Sequence, residues 1–144
     1  FDSKEGTRTQ QRSPIVLELY ELRRSDLARA RTETARLEDA RFTMVMLPDA
    51  PWSRRVIGTF ANELATSDTQ RASAVLKELP DGDYTVSLRA PVATPHGADA
   101  LAREFGGGGR AAAAGIDRLP MADVARFVAR LATMEWTASS EIGV

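Results

Sequence analysis

Apolar and polar positions along this chain follow two periods in turn, and the switches between them mark its elements. Ile15, Leu19, Leu22 and Ala30 fall near one face of a helical repeat, with Val16, Tyr20 and Leu27 beside it and arginines and acids filling the rest. Ser13-Pro14 supplies an N-cap followed by proline at the first helical position. A long helix is therefore predicted from Ser13 to about Asp39, firmly apolar only in its first half. Arg41–Leu47 (RFTMVML) reads as a strand that Pro48 and Pro51 end. Ser53 is the expected cap of a second helix with Val56, Ile57, Phe60 and Leu64 on its inner face. After a polar turn at Thr66–Gln70, Ala72–Leu79 and Tyr84–Ala90 alternate with period two. Pro80-Asp81-Gly82-Asp83 between them is strong turn chemistry, so a β-hairpin is predicted. Pro91 and Pro95 bracket an irregular loop. A short helix is expected at Gly97–Phe105, with Ala100, Leu101 and Phe105 inward, and a last strand at Ala113–Leu119, stopped by Pro120. The final helix is expected at Met121–Trp136, with Met121, Val124, Val128 and Leu131 on its core face.

Helices alternating with strands around one hairpin predict an α/β fold: a mixed sheet of about four to five strands with helices on both faces. Phe1–Arg12 is polar and aperiodic and reads as a linker, a tag remnant or a cut inside a longer protein. The cut is favoured, because the chain after Arg12 has the look of a second half. The resulting division is a leader at 1–12, a connector helix at 13–40, one folded domain at 41–136 and a tail at 137–144.

Composition narrows the function. The chain has 144 residues, 43% hydrophobic and 27% charged, with a net charge of −1. One domain with a real core is expected, and bulk charge cannot hold it on nucleic acid or a membrane, so any anion must be gripped by a local cluster. No cysteine is present, which removes disulfides and thiolate metal sites and fits a cytoplasmic protein. No apolar run approaches the ~20 residues of a membrane span. The sole histidine, His96, reads as an exposed loop residue. Asp81 and Asp83 read as turn formers, and Arg54 and Arg55 as solvated surface. No HExxH, GxSxG or acidic cluster at metal spacing occurs, so the chain carries no self-sufficient catalytic machinery.

What stands out is Phe105–Gly115, FGGGGRAAAAG. Each glycine costs ~0.5–1 kcal/mol relative to alanine inside a helix or strand, so the run reads as a loop whose backbone does what side chains would obstruct. Arg110 and four alanines come next and can open a short helix. Bare N–H groups beside a helix N-terminus and a cation make an anion site. The Walker pattern fails, because Arg110 follows Gly109, and so does the dinucleotide fingerprint, because a helix precedes the glycines. In YTVSLRAP, if Val86 and Leu88 face the core, Ser87 and Arg89 share the other face. Arg89 and Arg110 could then converge on one phosphate, with N–H groups of Gly106, Gly107, Gly108 and Gly109 adding hydrogen bonds; a guanidinium fork suits two phosphate oxygens. The competing readings are an exposed strand arginine, a solvated loop cation, and glycines that only permit close backbone packing in a structural or dimerising module.

SLRA at Ser87–Ala90, a helix, then FGGGGRAAAAG resembles the DHH-associated domain, the C-terminal substrate-binding domain of DHH phosphoesterases. The spacing and the closing Ala113-Ala114-Gly115 match, and the resemblance spans roughly Arg41–Trp136. It implies a DHH domain, expected upstream of Phe1, that holds two metal ions, usually manganese, and activates water against a phosphoester; no cofactor is expected in this chain, which alone should be inactive. It also implies that Arg89 and the backbone of Gly106–Gly109 contact a phosphate or nucleotide. Two departures matter: Arg110 stands where the motif has histidine, and Ala90 where it has serine. The implied partners are a nucleotide, a short oligonucleotide or another phosphorylated small substrate, and the DHH domain of the same protein. A homodimer stays open, as does a stand-alone binder of nucleotide or single-stranded nucleic acid, although aromatics are little interleaved with basic residues.

Overall fold

The computed structural model describes residues 24–30 and 35–139. Among them, six strands form one mixed sheet: β1 (Ala35–Glu38), β2 (Phe42–Leu47), β3 (Ala72–Glu78), β4 (Tyr84–Arg89), β5 (Gly108–Gly109) and β6 (Ala113–Leu119), in spatial order β1-β2-β3-β4-β6-β5. Only β2 and β3 run parallel, because only they are joined through a crossover helix, α1 (Pro51–Ser67). Helices α2 (Ala98–Arg103) and α3 (Val124–Thr133) cover the other face. The α/β class with helices on both faces is as expected, with six strands rather than four or five.

The period-two pattern sorts the core into two layers. Val86 and Leu88 lie opposite Ile116 and Ala114 of β6 and pack with Leu101, Phe105, Phe127 and Leu131. Val45 and Val75 point the other way and meet Val56, Phe60 and Leu64 of α1. No residue of β5 or β6 joins that second cluster. Among the described residues the α1 face of the sheet is therefore half covered: α1 lies on β3 and β4, and no described helix covers the β6–β5 side.

Several expectations are corrected. The helix predicted from Ser13 is described only over 24–30; the rest of its helical span lies outside the described residues, and Ala35–Glu38 is an edge strand antiparallel to β2. The free edge of β2 offers a row of backbone partners that outweighs the helical bias of ARLE. Helix α1 starts at Pro51, with Ala50 as N-cap, since proline's fixed φ and missing N–H suit the first turn. Ser53 is consequently buried in that turn, its Oγ with no hydrogen-bond partner among the described residues. Ala98 and Ala102, not Ala100, are the buried alanines of α2. Met121 opens a 3-10 turn (Met121–Asp123) and is 60% exposed; Phe127 takes the core position, edge-on to Phe105 at 5.4 Å between ring centroids. The helix ends at Thr133, short of Trp136. Arg55 is no solvated bystander: its Nε and Nη2 donate to both oxygens of buried Asp26 at 2.6 and 3.2 Å, tying the helical segment 24–30 to α1. Asp81 and Asp83 do form the hairpin turn, and Arg118 of β6 donates to both.

Candidate functional site

The site grows from the register of the last three strands. Ser87 of β4 lies opposite Gly115 of β6, which lies opposite Gly108 of β5. Alternation puts all three on the open α1 side, since Val86, Leu88, Ala114 and Ile116 face the core. One step along, Arg89 lies opposite Ala113, whose carbonyl accepts the Arg110 N–H at 2.8 Å. A strip of sheet with almost no side chains thus runs beside two arginines.

Arg89 is half-buried and held in place. Its Nε donates to Asn62 Oδ1 of α1 at 2.7 Å and its Nη1 to the Leu88 carbonyl at 3.1 Å, while Nη2 reaches the Gly58 carbonyl at 3.5 Å. These acceptors are all neutral, and among the described residues no carboxylate pairs with Arg89 or Arg110. Burial, and then the positive charge of Arg110, hold the Arg89 pKa below the ordinary arginine value; the group stays protonated at neutral pH all the same. Two neighbouring cations with no carboxylate partner among the described residues, one of them partly desolvated, form a place where an anion relieves both repulsion and desolvation.

The four glycines do different jobs. Gly106 has φ +83 and its N–H closes α2 on the Arg103 carbonyl; the Gly107 N–H bonds the Ala102 carbonyl at 2.9 Å. Those two N–H groups are therefore engaged inside the protein, which corrects the expectation that all four would serve a ligand. A β-carbon on Gly107 would lie 2.9 Å from Ile116 Cγ1 and closer still to the Gly115 carbonyl oxygen. On Gly109, whose φ is +144, it would lie 2.6 Å from Ala114 Cα. Close packing accounts for both. Gly108 differs: nothing lies within 4 Å of its would-be β-carbon and its φ is not positive. The run is also not a pure loop, since Gly108–Gly109 is the short edge strand β5, and the alanines after Arg110 turn back into β6 instead of opening a helix. The competing reading of close backbone packing thus holds for Gly107 and Gly109 and leaves Gly108 unexplained.

Beside Arg89 lies a cleft of about 500 Å³, walled by Asn62, Ala65 and Thr66 of α1, by Val92 and Pro95, and by Ala112 and Ala113 of the β5–β6 turn. It has the size of a small-molecule pocket, mostly apolar with a few polar groups. Asn62 and the 91–95 loop were not foreseen. The one local hint is that Gly58 and Asn62, four apart on α1, break its apolar face with a small and a polar residue. His96 is not the exposed loop residue expected: its backbone pairs with Thr137 and its Nδ1 is buried with no hydrogen-bond partner among the described residues.

Comparison with known proteins places this geometry in context. A family model described as "DHHA1 domain" matches residues 39–132. No curated protein matches the chain. Among solved structures, an exopolyphosphatase-related protein from Bacteroides fragilis is 20% identical with a TM-score of 0.56, over 77% of this chain and 34% of that one. A pGpG-specific phosphodiesterase, PggH, from Vibrio cholerae is 15% identical with a TM-score of 0.59, over 89% of this chain and 44% of that one. The C-Ala domain of alanyl-tRNA synthetase from Aquifex aeolicus is 16% identical with a TM-score of 0.51, over 67% of this chain and 94% of that domain. At these identities the likeness is one of fold. The chain spans less than half the length of the first two.

Proposed function

Because the chain belongs to the DHHA1 domain family, we propose that it is the substrate-gripping domain of a phosphoesterase acting on nucleotides or short oligonucleotides. The observation that carries this reading is the Arg89–Arg110 pair, with no carboxylate partner among the described residues, beside an apolar cleft and an open strip of backbone. Arg89 and Arg110 hold a phosphate by charge-assisted hydrogen bonds, Ser87 and the Gly108 backbone lie along its path, and the body of the ligand rests in the cleft. Two structural neighbours, one an exopolyphosphatase-related protein and one a pGpG-specific phosphodiesterase, agree with a phosphorylated ligand.

Bond cleavage belongs to a partner DHH domain on this reading. Among the described residues no group of three His, Cys, Asp or Glu side chains could hold a metal ion, so they do not fit manganese. The chain, incubated with manganese and a linear dinucleotide, is expected to bind the dinucleotide and leave it intact by chromatography. Turnover at enzyme-like rates would overturn this division of labour, and absence of binding would overturn the site. A stand-alone nucleotide or single-stranded nucleic-acid binding module without catalysis is the second reading, in keeping with the chain's covering 94% of one separate domain, C-Ala, of the same fold; turnover on adding a DHH domain would exclude it.

Arg110 makes a separate prediction. Arginine stays charged throughout the accessible range, whereas an unperturbed histidine, with a pKa of ~6.5, carries its charge only below that value. Affinity for a dinucleotide lacking a terminal phosphate is expected to be flat from about pH 5.5 to 8.5. In Arg110→His it is expected to fall roughly tenfold as pH rises through ~6.5, read by fluorescence anisotropy. A flat profile in the variant would remove residue 110 from the grip.

A further inference from the structure

We propose that Asn62 is a specificity-determining residue that selects a ligand with an organic, acceptor-bearing body over a bare phosphate chain; this rests on the phosphate grip proposed above. Arg89 Nε can only donate, so the Asn62 atom 2.7 Å from it must be Oδ1. That bond fixes the amide plane. Nδ2, with two N–H donors, is then left with no acceptor among the described residues. Asn62 also lines the cleft next to Arg89. The other neutral polar side chain in the lining is Thr66, whose hydroxyl donates back to the Asn62 and Glu63 carbonyls at 3.1 Å each. The remaining walls are alanine, valine and proline apart from Arg89 itself.

The cleft therefore offers apolar surface, one cation at its edge and one oriented neutral donor. A polyphosphate chain running into it would lose hydration against apolar walls with nothing to replace it. A nucleoside 5′-phosphate matches all three features: phosphate on Arg89, an apolar ring on the walls, and a base carbonyl or ribose hydroxyl accepting from Nδ2. One side chain thus couples the two halves of recognition, because the amide that reads the ligand body also orients the arginine that binds its phosphate.

Asn62→Ala, on an exposed helix face where alanine is a good helix former, is the test. Isothermal titration of the chain and the variant with a nucleoside 5′-monophosphate, ribose 5-phosphate and inorganic pyrophosphate separates the two roles, with thermal melts confirming the fold. The expected result is a loss of nucleotide affinity at least fivefold greater than the loss for pyrophosphate. If ribose 5-phosphate loses as much as the nucleotide, the acceptor is on the sugar; if it does not, the acceptor is on the base. Equal losses for nucleotide and pyrophosphate would reduce Asn62 to a positioning residue for Arg89 and overturn the proposal. So would unchanged nucleotide affinity in Asn62→Ala when Arg89→Met abolishes it, a result that leaves the phosphate grip standing. Failure of the parent chain to bind any of the three ligands would overturn both.

Discussion

Replacing Gly107 by alanine is expected to destabilise the fold severely, while the same change at Gly108 is expected to leave it intact and impair ligand binding. At Gly107 the new methyl would press on the Gly115 carbonyl and Ile116 Cγ1. Gly115 is the central strand residue of the Ser87–Gly115–Gly108 row, so relief requires moving β6 backbone, not turning a flexible side chain. Overpacking of this kind costs about 3 kcal/mol, enough to lower the melting temperature by roughly 10 °C in a domain of this size. At Gly108 the methyl meets nothing within 4 Å. Its effect on stability is expected to stay within about 1 kcal/mol, of either sign, since alanine also restricts the unfolded chain. It would, however, stand on the strip along which the proposed ligand path runs. Melting curves and a dinucleotide titration on the two variants read the contrast. Unimpaired binding in Gly108→Ala would show that the glycine run serves packing alone.

The second large effect is expected at Arg89. Arg89→Met keeps most of the aliphatic stem against α1 and removes the guanidinium. Loss of two charge-assisted hydrogen bonds to phosphate, together worth roughly 2–3 kcal/mol, should weaken dinucleotide binding about 30- to 150-fold. The melting temperature without ligand is expected to hold or rise, because the change removes a half-buried cation that lies beside Arg110 with no carboxylate partner among the described residues. The alternative is that Arg89 exists to fasten α1 to the sheet through Asn62 and Gly58. That alternative predicts the reverse, a lower melting temperature with binding unchanged, so one variant and two measurements decide between them.

Much of this arrangement could be read from the residues. Alternation in YTVSLRAP set Ser87 and Arg89 apart from Val86 and Leu88, and the structure has them so. The hairpin turn followed from Pro80-Asp81-Gly82-Asp83, and the two faces of helix followed from apolar spacing. The failures share one cause. Gly107 and Gly109 are glycines because β6 backbone lies against them, a constraint invisible without the partner strand. The alanines after Arg110 have high helix propensity, yet pairing with β4 and β5 leaves only a turn before Ala113–Leu119, which is the strand expected there, and no short helix opens. Ala35–Glu38 became a strand for the same reason, and Arg55 found Asp26 across 29 positions of chain.

The sequence by itself determined the α/β class, the faces of the central strands, and the motif spacing that marks the DHHA1 family, because these depend on local periodicity and on short-range order along the chain. The tertiary structure alone decided which glycines are required by packing, that Arg89 is held by Asn62 and lies near Arg110 with no carboxylate partner among the described residues, and that an apolar cleft adjoins Arg89. Those are matters of non-local packing: each depends on what another element presents across a few ångströms, and no pattern within one segment encodes that.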